Sequence, residues 1–143
     1  MAQYNKLGYA IDQIIAEDWA LPNNTLSAFM TNIATIDSKK QGNLRLLVCA
    51  SLNGDAGPTE LAGGASLTFI PYLGATTTPD VALPGTVITQ GVQTDASWVA
   101  GEVICEIIIP RTLIPSTAKY LGVKALTTAD ESGDKVEVYL LAD

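Results

Sequence analysis

The residues of this chain that could do chemistry include 15 acidic residues and 2 cysteines, but no histidine occurs in the sequence. A Ser–His–Asp or Cys–His pair is therefore excluded, and the commonest protein metal ligand is missing. Cys49 and Cys105 lie in alternating apolar stretches, which indicates packed structural thiols. Their spacing matches no zinc signature. The sequence thus predicts no catalytic residue, no metal site and no cofactor.

Two groups of carboxylates are close enough in sequence to consider for acid–base work. Glu102 and Glu106 are four residues apart on a predicted strand, which separates them by about 13 Å along one face. Glycosidases hold their two acids closer together, so we interpret these glutamates as solvating charges. Residues 130–134 include three acids, but the spacing matches no EF-hand loop. We interpret this segment as a solvated hairpin turn.

Composition limits the remaining classes of function. The 143 residues fit one domain, and only 16% are charged while 48% are hydrophobic. This is too apolar for a disordered chain, and no stretch approaches the roughly 20 apolar residues of a membrane-spanning helix. A net charge of −7 disfavours nucleic acid, which is bound mainly through Lys and Arg. We therefore expect no nucleic-acid partner and no membrane partner.

The first residues also lack the charged-then-apolar layout of a signal peptide. We therefore expect the chain to fold in the cytoplasm where it is made. In that reducing compartment, both cysteines should be free thiols.

Residues 1–30 differ in pattern from the rest of the chain. Ile11, Ile14 and Ile15 recur at helical spacing, which predicts a short amphipathic helix. We therefore expect an N-terminal arm over residues 1–30 and a β-domain over residues 31–143. An arm of this kind cannot bury its apolar face alone, so it should order on a partner.

From residue 31 onward, alternating apolar residues are separated by turn residues, as is typical of strands. Seven or eight such strands predict an all-β, jelly-roll-like β-sandwich of about eight strands. Pro71 inside one of them indicates an edge position or a bulge. The alternation places Leu44, Leu46, Val48, Ala50 and Leu52 on one face of a strand. It predicts inward positions at Leu67, Phe69, Leu73, Val103, Cys105, Ile107, Ile109, Val136, Val138 and Leu140.

The chain contains five segments and a terminal hairpin whose order resembles that of a known protein family. The resemblance covers roughly residues 30 to 143. The segments are residues 33–37, 44–48, 67–73, 99–110 and 119–123. In this order the chain resembles the jelly-roll capsid cement (decoration) proteins of tailed bacteriophages. The resemblance implies a jelly roll that lies on the outside of an icosahedral capsid and clamps neighbouring major capsid proteins. It further implies that the protein is made in the bacterial host cytoplasm. It also implies self-association, as a homodimer or, alternatively, a trimer. The family has no catalytic residues to transfer.

We expect apolar side chains of the arm to contact the capsid or a neighbouring subunit. The candidates are Tyr4, Leu7, Tyr9, Ile11, Ile14, Ile15, Trp19, Phe29 and Met30, together with Trp98 from a later loop. On this hypothesis, deletion of residues 1–30 leaves a folded sandwich that binds capsids poorly.

The alternative function is a carbohydrate-binding β-sandwich module of a phage tail or spike. Such a module needs an exposed aromatic platform, and Trp98 and Tyr72 are the candidates for it. An enzyme that uses only carboxylates is a further class, and it would contain an acid with a raised pKa.

Overall fold

Two antiparallel β-sheets pack face to face in the computed structural model, which describes residues 3–4, 10–37, 42–51, 59–60, 66–83, 86–89, 97–98 and 101–141. The strands are β1 (Gln3–Tyr4), β2 (Ala10–Ala20), β3 (Ala34–Thr35), β4 (Leu44–Ala50), β5 (Thr59–Glu60), β6 (Ser66–Gly74), β7 (Val81–Ala82), β8 (Thr86–Thr89), β9 (Ser97–Trp98), β10 (Val103–Ile109), β11 (Tyr120–Thr127) and β12 (Lys135–Leu141). A single 3-10 turn, Arg111–Leu113, lies between β10 and β11.

The chain crosses repeatedly from one sheet to the other. The first sheet has the order β1-β2-β12-β4-β10, and the second has the order β3-β11-β6-β7, with β8 also paired to β6. Strands that follow one another along the chain, such as β2, β3 and β4 or β10, β11 and β12, therefore alternate between sheets. This is the pattern of a jelly roll. The all-β, jelly-roll-like sandwich expected from the sequence is confirmed. A separate two-stranded pairing joins β5 and β9.

The core lies between the inner faces of the two sheets. Leu46 and Val138 reach it from the first sheet, and Phe69 and Val123 reach it from the second; all four are fully buried. Burial of each such side chain contributes about 1.5–3 kcal/mol. The predicted positions that are confirmed as core are Leu46, Val48, Leu67, Phe69, Leu73, Ile107, Ile109, Val136, Val138 and Leu140, with Leu44 and Cys105 packed against them. Ala50 is also buried, and Leu52 lies outside the described residues.

Val103 is an exception to the predicted alternation. It packs against a second apolar cluster, not against the core between the sheets. The pairing of β10 with β4 shifts register between Val103 and Cys105, and a bulge of this kind turns later side chains to the opposite face. The inward assignment of Val103 was therefore wrong.

The first sheet is buried on both faces where β4 and β12 lie side by side. Leu47, Cys49 and Tyr139 form the second cluster together with Ile11 and Leu141. A strand that is buried on both faces has a nearly continuous apolar sequence. This explains why β12 reads Val-Glu-Val-Tyr-Leu-Leu after its first residue.

The helix expected near the N-terminus is wrong, because Ala10–Ala20 forms strand β2. β2 pairs with β12, and this pairing shifts register at three places. Asp18, near the end of β2, has a φ of 48°, in the left-handed region. Each irregularity breaks the two-residue period of a strand. The isoleucines therefore recur at a spacing that resembles a helix.

The chain from residue 22 to residue 33, here called the strap, runs along the side of β11. Ser27 N–H donates to Ala125 O at 2.8 Å, and Met30 N–H donates to Val123 O at 2.9 Å. β3 then continues the same path and pairs with the start of β11. The strap therefore covers a strand edge of the protein's own second sheet.

The acidic turn at residues 130–134 is not a hairpin, because it joins β11 in the second sheet to β12 in the first. Asp130 Oδ1 accepts hydrogen bonds from Ser132 N–H at 3.0 Å and from Ser132 Oγ at 2.6 Å. Such local turn chemistry is the same whichever sheets it connects, so the sequence pattern did not distinguish the two cases. The solvated interpretation also fails for Glu131, whose side chain is buried.

Pro71 lies inside β6, opposite Val123 of β11. On the other side of β6, β8 pairs with residues 66–69 and β7 pairs with residues 72–73. Pro71 therefore lies where neither short strand pairs with β6, and its carbonyl accepts the Leu83 N–H at 2.9 Å. The expectation of an edge position holds at Pro71 itself, because proline has no N–H to donate and neither β7 nor β8 pairs with β6 at this residue.

Candidate contact surface

Most of the described arm candidates are packed within the protein itself. Ile15 and Met30 belong to the core, and Trp19 packs against it. Ile11 belongs to the second apolar cluster, and Ile14 packs against that cluster. Ile11, Ile15 and Met30 are buried and offer almost no surface to a partner, whereas Ile14 and Trp19 are partly buried and keep some exposed surface. The role of Ile14 and Trp19 as contact residues stays a prediction.

The remaining candidates fall into two groups. For Tyr4 in β1 and Trp98 in β9, only the main chain is described. Leu7 and Tyr9 lie outside the described residues. Their role as contact residues stays a prediction.

Phe29 of the strap differs from the other described candidates, because it lies on the outer side of the second sheet. Its ring meets the Tyr72 ring edge to face, with centroids 5.3 Å apart and an interplanar angle of 86°. The Lys124 Nζ lies 4.6 Å from the Phe29 centroid and 5.0 Å from the Tyr72 centroid. Contacts of a cation with aromatic rings contribute about 0.5–1 kcal/mol at exposed sites. The three side chains therefore hold one another in place.

Gly122 of β11 makes room for this arrangement. A Cβ at residue 122 would lie 2.7 Å from the Phe29 ring and 3.0 Å from Ile33. Both distances are shorter than a normal carbon–carbon contact of about 3.5–4.0 Å. The absence of a side chain at residue 122 thus lets the Phe29 ring lie over β11 while the strap follows the edge of that strand.

Alternation along β6 and β11 extends the surface around these rings. Ile70 shares the face of Tyr72, and Leu126 shares the face of Lys124. Leu26 of the strap forms a bridge with Leu126, and these two leucines are 43% and 37% exposed. We call this surface the outer face; its members are Leu26, Phe29, Thr68, Ile70, Tyr72, Lys124 and Leu126.

The outer face carries very little charge. Lys124 is the only charged residue in the sequences of β6 and β11. Centres of protein interfaces are likewise depleted in charge and enriched in aromatic residues. The outer face therefore has the composition of a surface that another protein covers.

The two thiols are held in their protonated form. Burial, followed by the charge of Glu137, raises the pKa of Cys49 from 9.0 to about 11. Burial, followed by Cys49, raises the pKa of Cys105 from 9.0 to about 12. A nucleophilic cysteine needs a lowered pKa, so both thiols have the properties of structural residues.

The carboxylates considered for catalysis have structural partners or lie apart. Glu106 Oε1 accepts a hydrogen bond from Arg45 Nε of the neighbouring strand at 2.6 Å, whereas Glu102 lies before the start of β10.

Hydrogen bonds also contribute to two further pKa shifts. Tyr139 donates its hydroxyl to Glu137 at 2.8 Å within the second apolar cluster. Burial, followed by this bond, raises the pKa of Tyr139. Hydrogen bonds from Ser132 lower the pKa of Asp130.

A polar cleft of about 260 Å³ opens at one end of the sandwich, between β2 and β3. Its lining includes Asp12, Asp37 and Arg111. Gln13 bridges the two sheets here, since its side-chain Oε1 accepts the Thr35 N–H at 2.9 Å. Among the described residues, no group of three potential metal ligands occurs. In that same part of the chain, no helix is long and apolar enough to cross a membrane.

Sequence reasoning missed Ile70, Lys124 and Leu126 as surface residues. The signal was present, because every second residue of β6 and β11 is apolar and the positions between them must face outward. The role of the strap had no comparable signal, since it is held mainly through its main chain.

Comparison with known proteins finds a similarity in structure. No family model matches the chain, and no curated protein matches it. Among solved structures, one chain in a structure of infectious bursal disease virus, Gx strain, matches with a TM-score of 0.49 and 14% sequence identity. The match spans 92% of this chain and 32% of that chain, so this chain spans about a third of its length.

Proposed function

We propose that this chain is a structural virion protein that binds the outside of an icosahedral phage capsid and cements neighbouring major capsid proteins. The observation that carries the proposal is the outer face of the second sheet, with its paired aromatic rings, exposed leucines and single charge. The jelly-roll-like sandwich and the resemblance to cement proteins support the same function. No enzymatic activity is part of this proposal.

The proposed mechanism depends on contact area and repetition. A standard protein interface buries about 1,600 Å², so one copy that spans a seam between capsid subunits adds a substantial link. Repetition of that link over the capsid raises the cost of losing any one subunit. Because the outer face has little charge, this binding should change little with ionic strength.

The outer face can be tested with capsids assembled without this chain. The variant Leu126→Glu places a second charge on the outer face, whereas Leu113→Glu changes a similarly exposed leucine, 47% against 37%, in the 3-10 turn. Co-sedimentation should show binding of Leu126→Glu weakened by about tenfold or more, equal to 1.4 kcal/mol. Leu113→Glu should bind like the wild type.

Equal binding of both variants would contradict the assignment of the outer face. Failure of the wild type to bind capsids would contradict the cement function itself. If the wild type instead bound glycans, and the variant Trp98→Ala did not, the carbohydrate-binding function would replace the proposal. Tyr72 is a poor glycan platform in this structure, because Phe29 and Lys124 already contact its ring.

A further inference from the structure

The strand edges of the two sheets are protected unequally. β1 pairs with β2 at one end of the first sheet, and the strap runs along β11 in the second. The other side of β6 ends in β7 and β8, which have only two and four residues. β10, by contrast, has seven residues and pairs only with β4 within the described part of the chain. Among the described residues nothing pairs with its second edge, which there presents main-chain donors and acceptors to a further strand.

Residues 105–109 of β10 lack the features that usually protect such an edge. Proteins block edges with lysine, proline, inward-pointing charges or β-bulges. The bulge of β10 lies at its first residues, between Val103 and Cys105, so the edge is regular from Cys105 to Ile109. β10 reads Val-Ile-Cys-Glu-Ile-Ile-Ile and contains neither lysine nor proline. Its one charge, Glu106, is paired with Arg45 of its own sheet. Ile108 is 55% exposed, although it lies in the middle of an apolar stretch.

We propose that two copies of this chain associate through β10, by antiparallel pairing of the two β10 strands across a two-fold axis. The occupant must be a strand, because only a strand satisfies a row of alternating donors and acceptors. A second copy fits best, because an antiparallel edge is complementary to itself under two-fold symmetry. The Arg45–Glu106 pair in each copy also avoids an uncompensated approach of like charges.

The pairing defines the size of the assembly. Each copy has one β10, so the contact closes at two copies and favours a dimer over a trimer. The two five-stranded first sheets become one continuous sheet. The outer face belongs to the second sheet, so this dimer does not depend on what the outer face binds.

The first test is the mass of the protein in solution. Sedimentation equilibrium of the wild type should give about twice the chain mass of 15.0 kDa. Ile108→Lys places a charge on the open edge and should raise the dissociation constant about tenfold or more, equal to 1.4 kcal/mol. Leu113→Lys, at a similarly exposed position outside the edge, should leave the dimer unchanged. A wild type that stays monomeric at millimolar concentration would overturn the proposal.

Hydrogen exchange on the wild-type protein tests the strand pairing without relying on a variant. Amides of residues 103–109 that face the open edge should exchange slowly in concentrated protein and faster on dilution below the dissociation constant. Amides of β12, which lies inside the sheet, should not change on dilution. A dimer whose β10 amides exchange equally at both concentrations would show that the copies associate elsewhere.

Discussion

At the scale of single residues, the outer face depends on the close packing of Phe29 against Gly122. Gly122→Ala should destabilise the protein by about 1–3 kcal/mol, because the new methyl group overpacks against the ring and against Ile33. Urea denaturation measures this change.

Gly133 provides the matched control for this substitution. A Cβ at Gly133 meets nothing within 4 Å, so Gly133→Ala should change stability by no more than about 0.5 kcal/mol. Equal midpoints for the two variants would show that the strap does not lie against β11 as described.

The cysteines give a prediction that depends on pH. Only the thiolate reacts with iodoacetamide, and Cys49 has a pKa of about 11 in place of 9.0. At pH 8, its thiolate fraction should therefore be about 100-fold below that of an unperturbed thiol, since each pKa unit is a factor of ten. The rate of modification should rise with pH up to the raised pKa.

The same protein unfolded in urea is the control for thiol reactivity. Peptide mapping by mass spectrometry separates Cys49 from Cys105 and gives a rate for each. Native and unfolded rates that agree at pH 8 would contradict the burial of the thiols.

At the scale of elements, the backbone conformation of Asp18 makes the end of β2 irregular. It has a φ of 48°, and its Oδ1 accepts the Ser51 hydroxyl at 2.6 Å. Asp18→Ala loses this bond and places alanine in the left-handed region, each change costing about 1 kcal/mol. Asp18→Asn should cost less, because asparagine tolerates that region and keeps an acceptor.

Denaturant midpoints should therefore fall in the order wild type, Asp18→Asn, Asp18→Ala. The double variant with Ser51→Ala isolates the hydrogen bond, because removal of Ser51 should cost little once Asp18 is alanine. An Asp18→Ala protein as stable as the wild type would contradict the role of this residue.

The sequence predicts regular strands well and irregular ones poorly. Alternation located β4, β6, β11 and β12 and most of the core, because these strands keep a two-residue period over their buried faces. It failed for β2, where bulges break that period. Alternation also did not predict the order of the strands in the sheets. The same turn residues, such as Asp130 and Ser132, occur whether a turn joins strands of one sheet or of two. On the outer face, alternation did not identify Lys124 or Leu126.

At the scale of the whole molecule, the N-terminal residues form part of the sandwich. β2 lies between β1 and β12, and Ile15, Leu21 and Met30 are in the core. Deletion of residues 1–30 should therefore abolish cooperative unfolding, and should not leave the folded sandwich expected from the sequence. Circular dichroism with a thermal scan measures this. A sharp transition in the truncated chain would show that the segment is a detachable arm.

The proposed cement function depends on the low-charge outer face of a jelly-roll-like sandwich, and the virus particle itself tests this proposal most directly. Native lysate would be separated on a density gradient, and this chain would be quantified in each fraction by mass spectrometry. We expect it in DNA-filled particles, at a copy number comparable to that of the major capsid protein. A few copies per particle would indicate a tail or spike component, and recovery only as a small free species would contradict the proposed function.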